Sequence, residues 1–231
     1  MSFTPIFTYH KVAIPPPDTI YPGTYVRPAT FAAHVAYLAR HFEPVTLGDY
    51  LGARTSAGRA VLTFDDGTED FASAALPILL DRGAGATVFL VTGESINLWD
   101  VRLGDREVRL LTPEQIRAVG DGVEFGSHTR THADLGVLPE AEFHTEIVRS
   151  RAEVTALTGR PCRTFCYPYG RKRDAAIDAV RRAGYDGAVS TEKGANDALT
   201  DPFRLRRIAV RHDTSLPVLV YKIWRARRFA R

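Results

Sequence analysis

The stretch Ala60-Val61-Leu62-Thr63-Phe64-Asp65-Asp66-Gly67 decides how the chain is read. It begins as an apolar run with β-branched residues, the pattern of a buried strand. It ends in two adjacent carboxylates and a glycine. Two acids at the end of a buried strand repel each other and lose solvation, so something must offset both costs. A metal ion or a catalytic task would do so. Neighbouring side chains on an extended chain point opposite ways, so one acid can hold a metal while the other takes a proton. The plain alternative is a solvated Asp-Asp-Gly turn. Partners elsewhere in the sequence separate the two.

Outward from this stretch, strands and helices alternate about seven times. Strands are expected at 3–9, 45–47, 86–91, 122–126, 163–167, 187–190 and 205–210, besides 60–64. Helices are expected at 28–42, 47–54, 69–81, 139–157 and 174–183, and from a cap at Asp213-Thr214-Ser215 to about 228. Thr112-Pro113-Glu114-Gln115 opens another helix, with a cap and a proline at the first position. Residues 11–27, rich in proline, read as a loop, and the polar residues 93–110 as a loop or insertion. Alternation of this kind predicts a parallel sheet, either a barrel or a doubly wound sheet. The notable polar residues, His10, Asp65, Asp66, His128 and Tyr169, follow strand C-termini, the face that carries active sites in α/β barrels.

The 231 residues read as a single domain, with no linker-like change of composition and a basic C-terminal helix at about 214–231. The net charge of +3 is too small to argue for a nucleic-acid partner. That charge is concentrated in Lys222, Arg225, Arg227, Arg228 and Arg231; without these five the balance turns acidic. With Trp224 and Phe229 they suggest peripheral contact with an anionic membrane; a solvated helix end is the simpler reading. No apolar run reaches membrane-spanning length, and no signal peptide is visible. The expected location is therefore cytoplasmic, or peripheral to the membrane. Cys162 and Cys166, four apart around a strand, lie on the same side of it if it is straight, and read as buried or semi-buried thiols in a reducing compartment.

Gly126-Ser127-His128-Thr129-Arg130-Thr131-His132 places two histidines four residues apart after a strand. A tight turn would let both imidazoles face one point. Two imidazoles and one carboxylate, which Asp66 can supply, make a three-ligand site with an open position, the pattern of catalytic zinc. A phospho-receiver domain also gathers acids at strand ends, but it needs neither histidine.

Three segments together resemble the polysaccharide deacetylases, the NodB-homology or carbohydrate esterase family 4 enzymes. They are Thr63-Phe64-Asp65-Asp66-Gly67, Ser127-His128-Thr129-Arg130-Thr131-His132 and Phe165-Cys166-Tyr167-Pro168-Tyr169-Gly170. The resemblance implies a distorted (β/α)7 TIM-like barrel. It implies a metal-dependent hydrolase that removes N-acetyl groups from an amino-sugar glycan or glycan precursor. Asp65 would be the general base. Asp66, His128 and His132 would hold a divalent metal, expected to be Zn2+, with Co2+, Ni2+ or Fe2+ as alternatives. Tyr169, within Pro168-Tyr169-Gly170, would give its backbone N–H to the oxyanion hole.

The sequence departs from the family pattern in two places. The arginine that often precedes the third motif is Cys166 here. Arg206 or Arg207 could orient the base instead, and the strand alternation favours Arg207. The late Leu-x-His motif is also indistinct, although His212 lies nearby. Thr8-Tyr9-His10-Lys11-Val12 resembles the poly-N-acetylglucosamine deacetylase subgroup, in which a Tyr-His near the start supplies the acid, and this points to His10. A deformylase or deacylase of a lipid-linked sugar on the same fold is the alternative activity.

Overall fold

A computed structural model of the chain describes residues 3–53 and 58–228. Seven parallel strands close into a barrel: β1 (Ile6–Tyr9), β3 (Arg59–Phe64), β4 (Ala86–Leu90), β5 (Val123–Ser127), β6 (Thr164–Cys166), β7 (Gly187–Lys193) and β8 (Leu205–Ala209). Each pairs with the next, and β8 pairs with β1. β2 (Glu43–Val45) is an eighth strand paired to the first half of β3. The Pro44 carbonyl accepts from the Gly85 N–H, so β2 sits where β4 would otherwise continue. That wedge distorts the barrel.

The expected strands all form, with ends moved by a few residues. β3 is buried over five of its six residues, as a parallel strand covered on both faces should be. Inward side chains, among them Ile6, Val61, Phe89, Val189 and Leu205, fill the barrel. Glu124 also points inward. Its carboxylate accepts from the Gly48 N–H (2.8 Å) and the hydroxyls of Thr87 and Thr164 (2.9 Å each), and burial raises its pKa. The larger apolar layer lies outside the strands, under the helices.

The helices are α1 (Pro28–His41), α2 (Leu47–Gly52), α3 (Leu76–Asp81), α4 (Leu98–Val101), α5 (Pro113–Ala118), α6 (Ser150–Thr158), α7 (Asp174–Arg182) and α8 (Leu216–Arg227). The capping box at Thr112 and Gln115 forms as expected. In detail the helical segments differ from expectation in places. The segment 139–157 is a short 3-10 turn, a π-helical stretch at His144–Arg149 and then α6, because hydrogen-bond phase leaves no mark on apolar periodicity. The first part of the 69–81 helix is likewise π-helical, at Phe71–Ala75. Residues 93–110, expected as a loop or insertion, contain the short helix α4. The N-cap of α8 is Ser215, inside the expected Asp213-Thr214-Ser215 cap, although its side chain makes no capping bond. The expected helix end at Arg54 and the basic-tail residues Phe229 and Arg231 lie outside the described residues.

The two cysteines lie on different sides of β6. The strand is only three residues long, so its alternation does not reach back to Cys162, which belongs to the outer layer; Cys166 faces the barrel interior. No described helix is long and apolar enough to cross a membrane.

Candidate active site

Parallel register assembles the site. Tyr9 pairs with Phe64, and the Asp65 N–H donates to the Tyr9 carbonyl (3.0 Å), so His10 and Asp65 leave adjacent strands at one level. The His128 N–H donates to the Leu90 carbonyl (2.8 Å), and Ser127 pairs with Phe165, which brings His128 beside Cys166. Lys193 pairs with Arg207, placing β8 next to the same mouth.

The two adjacent acids turn to different partners. Both Asp65 oxygens accept from the Arg207 guanidinium, Oδ1 from Nη1 and Oδ2 from Nη2, at 2.7 Å each. Arg207 also donates from Nη1 to Thr63 Oγ1 (2.9 Å), from Nε to the Ser190 carbonyl (2.8 Å) and from Nη2 to Cys166 Sγ (3.2 Å). All five of its N–H groups are thereby used, which makes its burial at 1% exposure tolerable. Arg206, the neighbour on β8, is exposed. Burial alone would raise the Asp65 pKa; Arg207 outweighs it and holds the carboxyl below the ordinary range. The Cys166 thiol, buried beside these charges, is pushed well above its usual pKa, so it stays a neutral acceptor for Arg207.

Asp66 turns toward the histidines. Its Oδ1 lies 3.6 Å from His128 Nε2 and 3.4 Å from His132 Nε2. Burial would raise its pKa, but the imidazoles of His132, His10 and His128 outweigh burial and lower it. His128 is fixed from behind, with Nδ1 2.8 Å from the Cys166 carbonyl. That bond makes Nδ1 the donor and leaves the Nε2 lone pair facing Asp66. Burial first, and His132 second, lower the His128 pKa to about 4, so the ring is neutral. His132 is held by stacking: Trp99 lies at 4.4 Å and 18°, and the Tyr169 ring meets it edge-on at 4.6 Å.

Whether this set fits a metal is decided by its unsatisfied atoms. One ligand atom each from Asp66, His128 and His132 lies within 4.8 Å of the others, and all three residues are buried. Asp66 Oδ1 has no hydrogen-bond partner although it is fully enclosed. A buried, unpaired carboxylate oxygen aimed at two imidazole nitrogens is an uncompensated cost, and a divalent cation would remove it. The residues fit.

Backbone strain gathers at the same place. Asp66, Thr129, His132 and Tyr169 all have positive φ, between 57° and 73°, and they are the only described non-glycine residues that do. Such conformations persist where the surroundings over-determine them. Glu146, a buried acid on the π-helical stretch, clamps the histidine loop. It accepts from the N–H groups of Arg130 (2.9 Å) and Thr131 (3.0 Å) and from the Thr131 hydroxyl (3.1 Å).

His10 Nε2 lies 3.9 Å from Asp65 Oδ2, with the His10 side chain 28% exposed. His212 is exposed and lines the same cavity as His10. Pro168-Tyr169-Gly170 forms a 3-10 turn directly after β6, beside His132. The sequence-predicted residues therefore converge on one mouth of the barrel. Sequence reasoning missed Glu146 and Trp99. An acid within a long amphipathic helix and an aromatic in a polar stretch carry no local signal; the contacts that define them span 15 residues or more.

A polysaccharide deacetylase profile matches residues 52–188, more than half of the chain, and the chain belongs to that family. It is 29% identical over 151 residues to YxkH of Bacillus subtilis (strain 168), covering 65% of this chain and 50% of that protein. It is 33% identical over 140 residues to the chitooligosaccharide deacetylase of Bradyrhizobium sp. (strain ANU 289), covering 59% and 56%. The chain thus spans about half the length of the curated relatives it matches. Among solved structures, the Streptococcus pyogenes deacetylase PplD in complex with acetate superposes with a TM-score of 0.80 at 24% identity, covering 95% of this chain and 97% of that one. This last likeness bears on the fold, a distorted (β/α)7 barrel.

Proposed function

We propose that the protein is a metal-dependent N-deacetylase of amino-sugar glycans or their precursors. Asp66, His128 and His132 hold a divalent metal, zinc by the two-imidazole, one-carboxylate set. The metal supplies Lewis acidity to the amide carbonyl and to water. The observation that carries the reading is the divergence of the two adjacent acids, one onto an arginine and one onto two imidazoles.

The roles of the other residues follow from their surroundings. Arg207 keeps Asp65 ionised and fixes both of its oxygens in one plane. Each oxygen retains a lone pair, so Asp65 accepts the proton of the attacking water as general base. His10 shares the mouth with Asp65 and is partly exposed. It donates a proton to the nitrogen as the carbon–nitrogen bond breaks, so the amine leaves neutral. Pro168 has no N–H and a fixed φ. It opens the 3-10 turn whose Tyr169 backbone N–H would stabilise the oxyanion.

The test is acetate release from N-acetylglucosamine oligosaccharides. The reading expects one acetate for each free amine formed. Free amine formed with formate, or no amine on any N-acylated sugar, counts against it.

A further inference from the structure

Two cavities share a wall, and one of them contains His10. One, about 450 Å3, contains His10, Gly23, Ala209, Arg211 and His212. The other, about 380 Å3, lies between the ends of β7 and β8 and the flank of α8. Its charged walls are Lys193, Arg207, Arg211, Lys222 and Arg225, and no carboxylate lines it. Ala209 and Arg211 belong to both cavities.

Arg207 is already committed to Asp65. Lys193, Arg211 and Lys222 form no ion pair with a carboxylate among the described residues. Lys222 is held in place, with Nζ donating to the Ala209 carbonyl (2.8 Å) and the Thr214 hydroxyl (2.9 Å). Burial lowers its pKa; Asp213, outside the cavity, opposes that, while Arg211 and Lys193 add to it. The Arg211 guanidinium lies across Gly23, where a Cβ would stand 2.8 Å from Nη2.

A concave, acid-free group of lysines and arginines suits a multiply charged oxyanion. Guanidinium forks match phosphate oxygens, and lysines add point charge. A neutral sugar would leave Lys193, Arg211 and Lys222 unmatched, and a lone carboxylate would satisfy one of them. We infer that this cavity binds the phosphate or pyrophosphate of a phosphorylated amino-sugar substrate, whose N-acyl group reaches His10 and Asp65 past the wall shared by Ala209 and Arg211. The inference rests on the deacetylase reading and narrows its substrate class.

The experiment is isothermal titration of the full chain with inorganic pyrophosphate. Wild type should bind. Lys193→Ala/Arg211→Ala should bind at least tenfold more weakly, and Lys193→Arg, which keeps the charge, should bind like wild type. His128→Ala separates the cavity from the metal centre and should keep wild-type affinity. No binding by wild type, undiminished binding by the double variant, or loss of binding in His128→Ala overturns the inference. Circular dichroism confirms that each variant is folded. Binding is read without turnover, so its failure leaves the deacetylase reading intact, and absent acetate release leaves the cavity intact. A second arm uses phosphatidylcholine vesicles with and without phosphatidylglycerol. Co-sedimentation that needs phosphatidylglycerol and is displaced by pyrophosphate assigns the phosphate to a lipid-linked substrate. Pyrophosphate binding without co-sedimentation assigns it to a soluble one.

Discussion

Arg207 and Asp65 meet as two planar forks inside the barrel mouth, with both oxygen–nitrogen distances at 2.7 Å and neither residue more than 3% exposed. The pair joins the last strand of the barrel to β3. Cys166 also takes part, since its sulfur accepts the remaining Nη2 hydrogen of Arg207.

Replacing Arg207 tests the pair. Arg207 lowers the Asp65 pKa against the opposing effect of burial. Removing it leaves burial unopposed by its largest partner, so the carboxyl titrates at higher pH. Arg207→Ala should lower kcat roughly 10²-fold and move the acid limb of the kcat/KM profile upward. Arg207→Lys keeps a cation without the fork and should move that limb less. The lowered pKa also stabilises the fold above the ordinary carboxylate range, an effect lost as pH falls through the lowered value. Breaking a buried pair costs about 3–5 kcal/mol, so the profiles are best recorded well below the Tm of the variant. An unchanged acid limb would remove Arg207 from this role.

His10 and His212 line one cavity, and substitution separates them. His10 has its Nε2 3.9 Å from Asp65, whereas His212 is exposed beyond the end of β8. His10→Ala should lose on the order of 10²-fold in kcat while keeping its metal. His212→Ala should stay within a factor of about three of wild type, as expected for a surface change of no more than ~0.5 kcal/mol. A large loss in His212→Ala with His10→Ala near wild type would move the acid to the C-terminal end of the barrel.

Gly170 follows Tyr169 in the turn after β6. Its φ is +68°, and a Cβ there would collide with the Thr191 hydroxyl and backbone nitrogen. Both features oppose a side chain. Gly170→Ala should destabilise the fold by about 2–4 kcal/mol, lowering Tm on the order of 10 °C. A thermal melt checks this. A Tm equal to wild type would mean that the turn relaxes freely.

Much of the barrel and its mouth was legible because two simple rules coincide there. Buried parallel strands read as short apolar runs, and the functional residues come immediately after them. Asp65, Asp66, His128 and His10 are placed by counting from strand ends, and Arg207 by inward alternation from Leu205. Other residues escaped for a physical reason. Glu146 and Trp99 act through contacts to a distant loop, and neither breaks the periodicity of its own segment. Cys166 could be read as a buried thiol, but its bond to Arg207 depends on two strands that are far apart in sequence. The π-helical stretches at Phe71–Ala75 and His144–Arg149 were invisible because apolar spacing shows a helical face and not its hydrogen-bond ladder.

The central claim is that adjacent acids divide the work, Asp66 holding metal and Asp65 moving a proton. The most direct measurement is bound metal per chain, by elemental analysis, alongside acetate release for Asp65→Asn and Asp66→Asn. Asp65→Asn should keep a wild-type metal content and lose turnover by on the order of 10²-fold or more. Asp66→Asn should lose both metal and turnover. Equal metal loss in the two variants, or full turnover by metal-free wild type, would contradict the division.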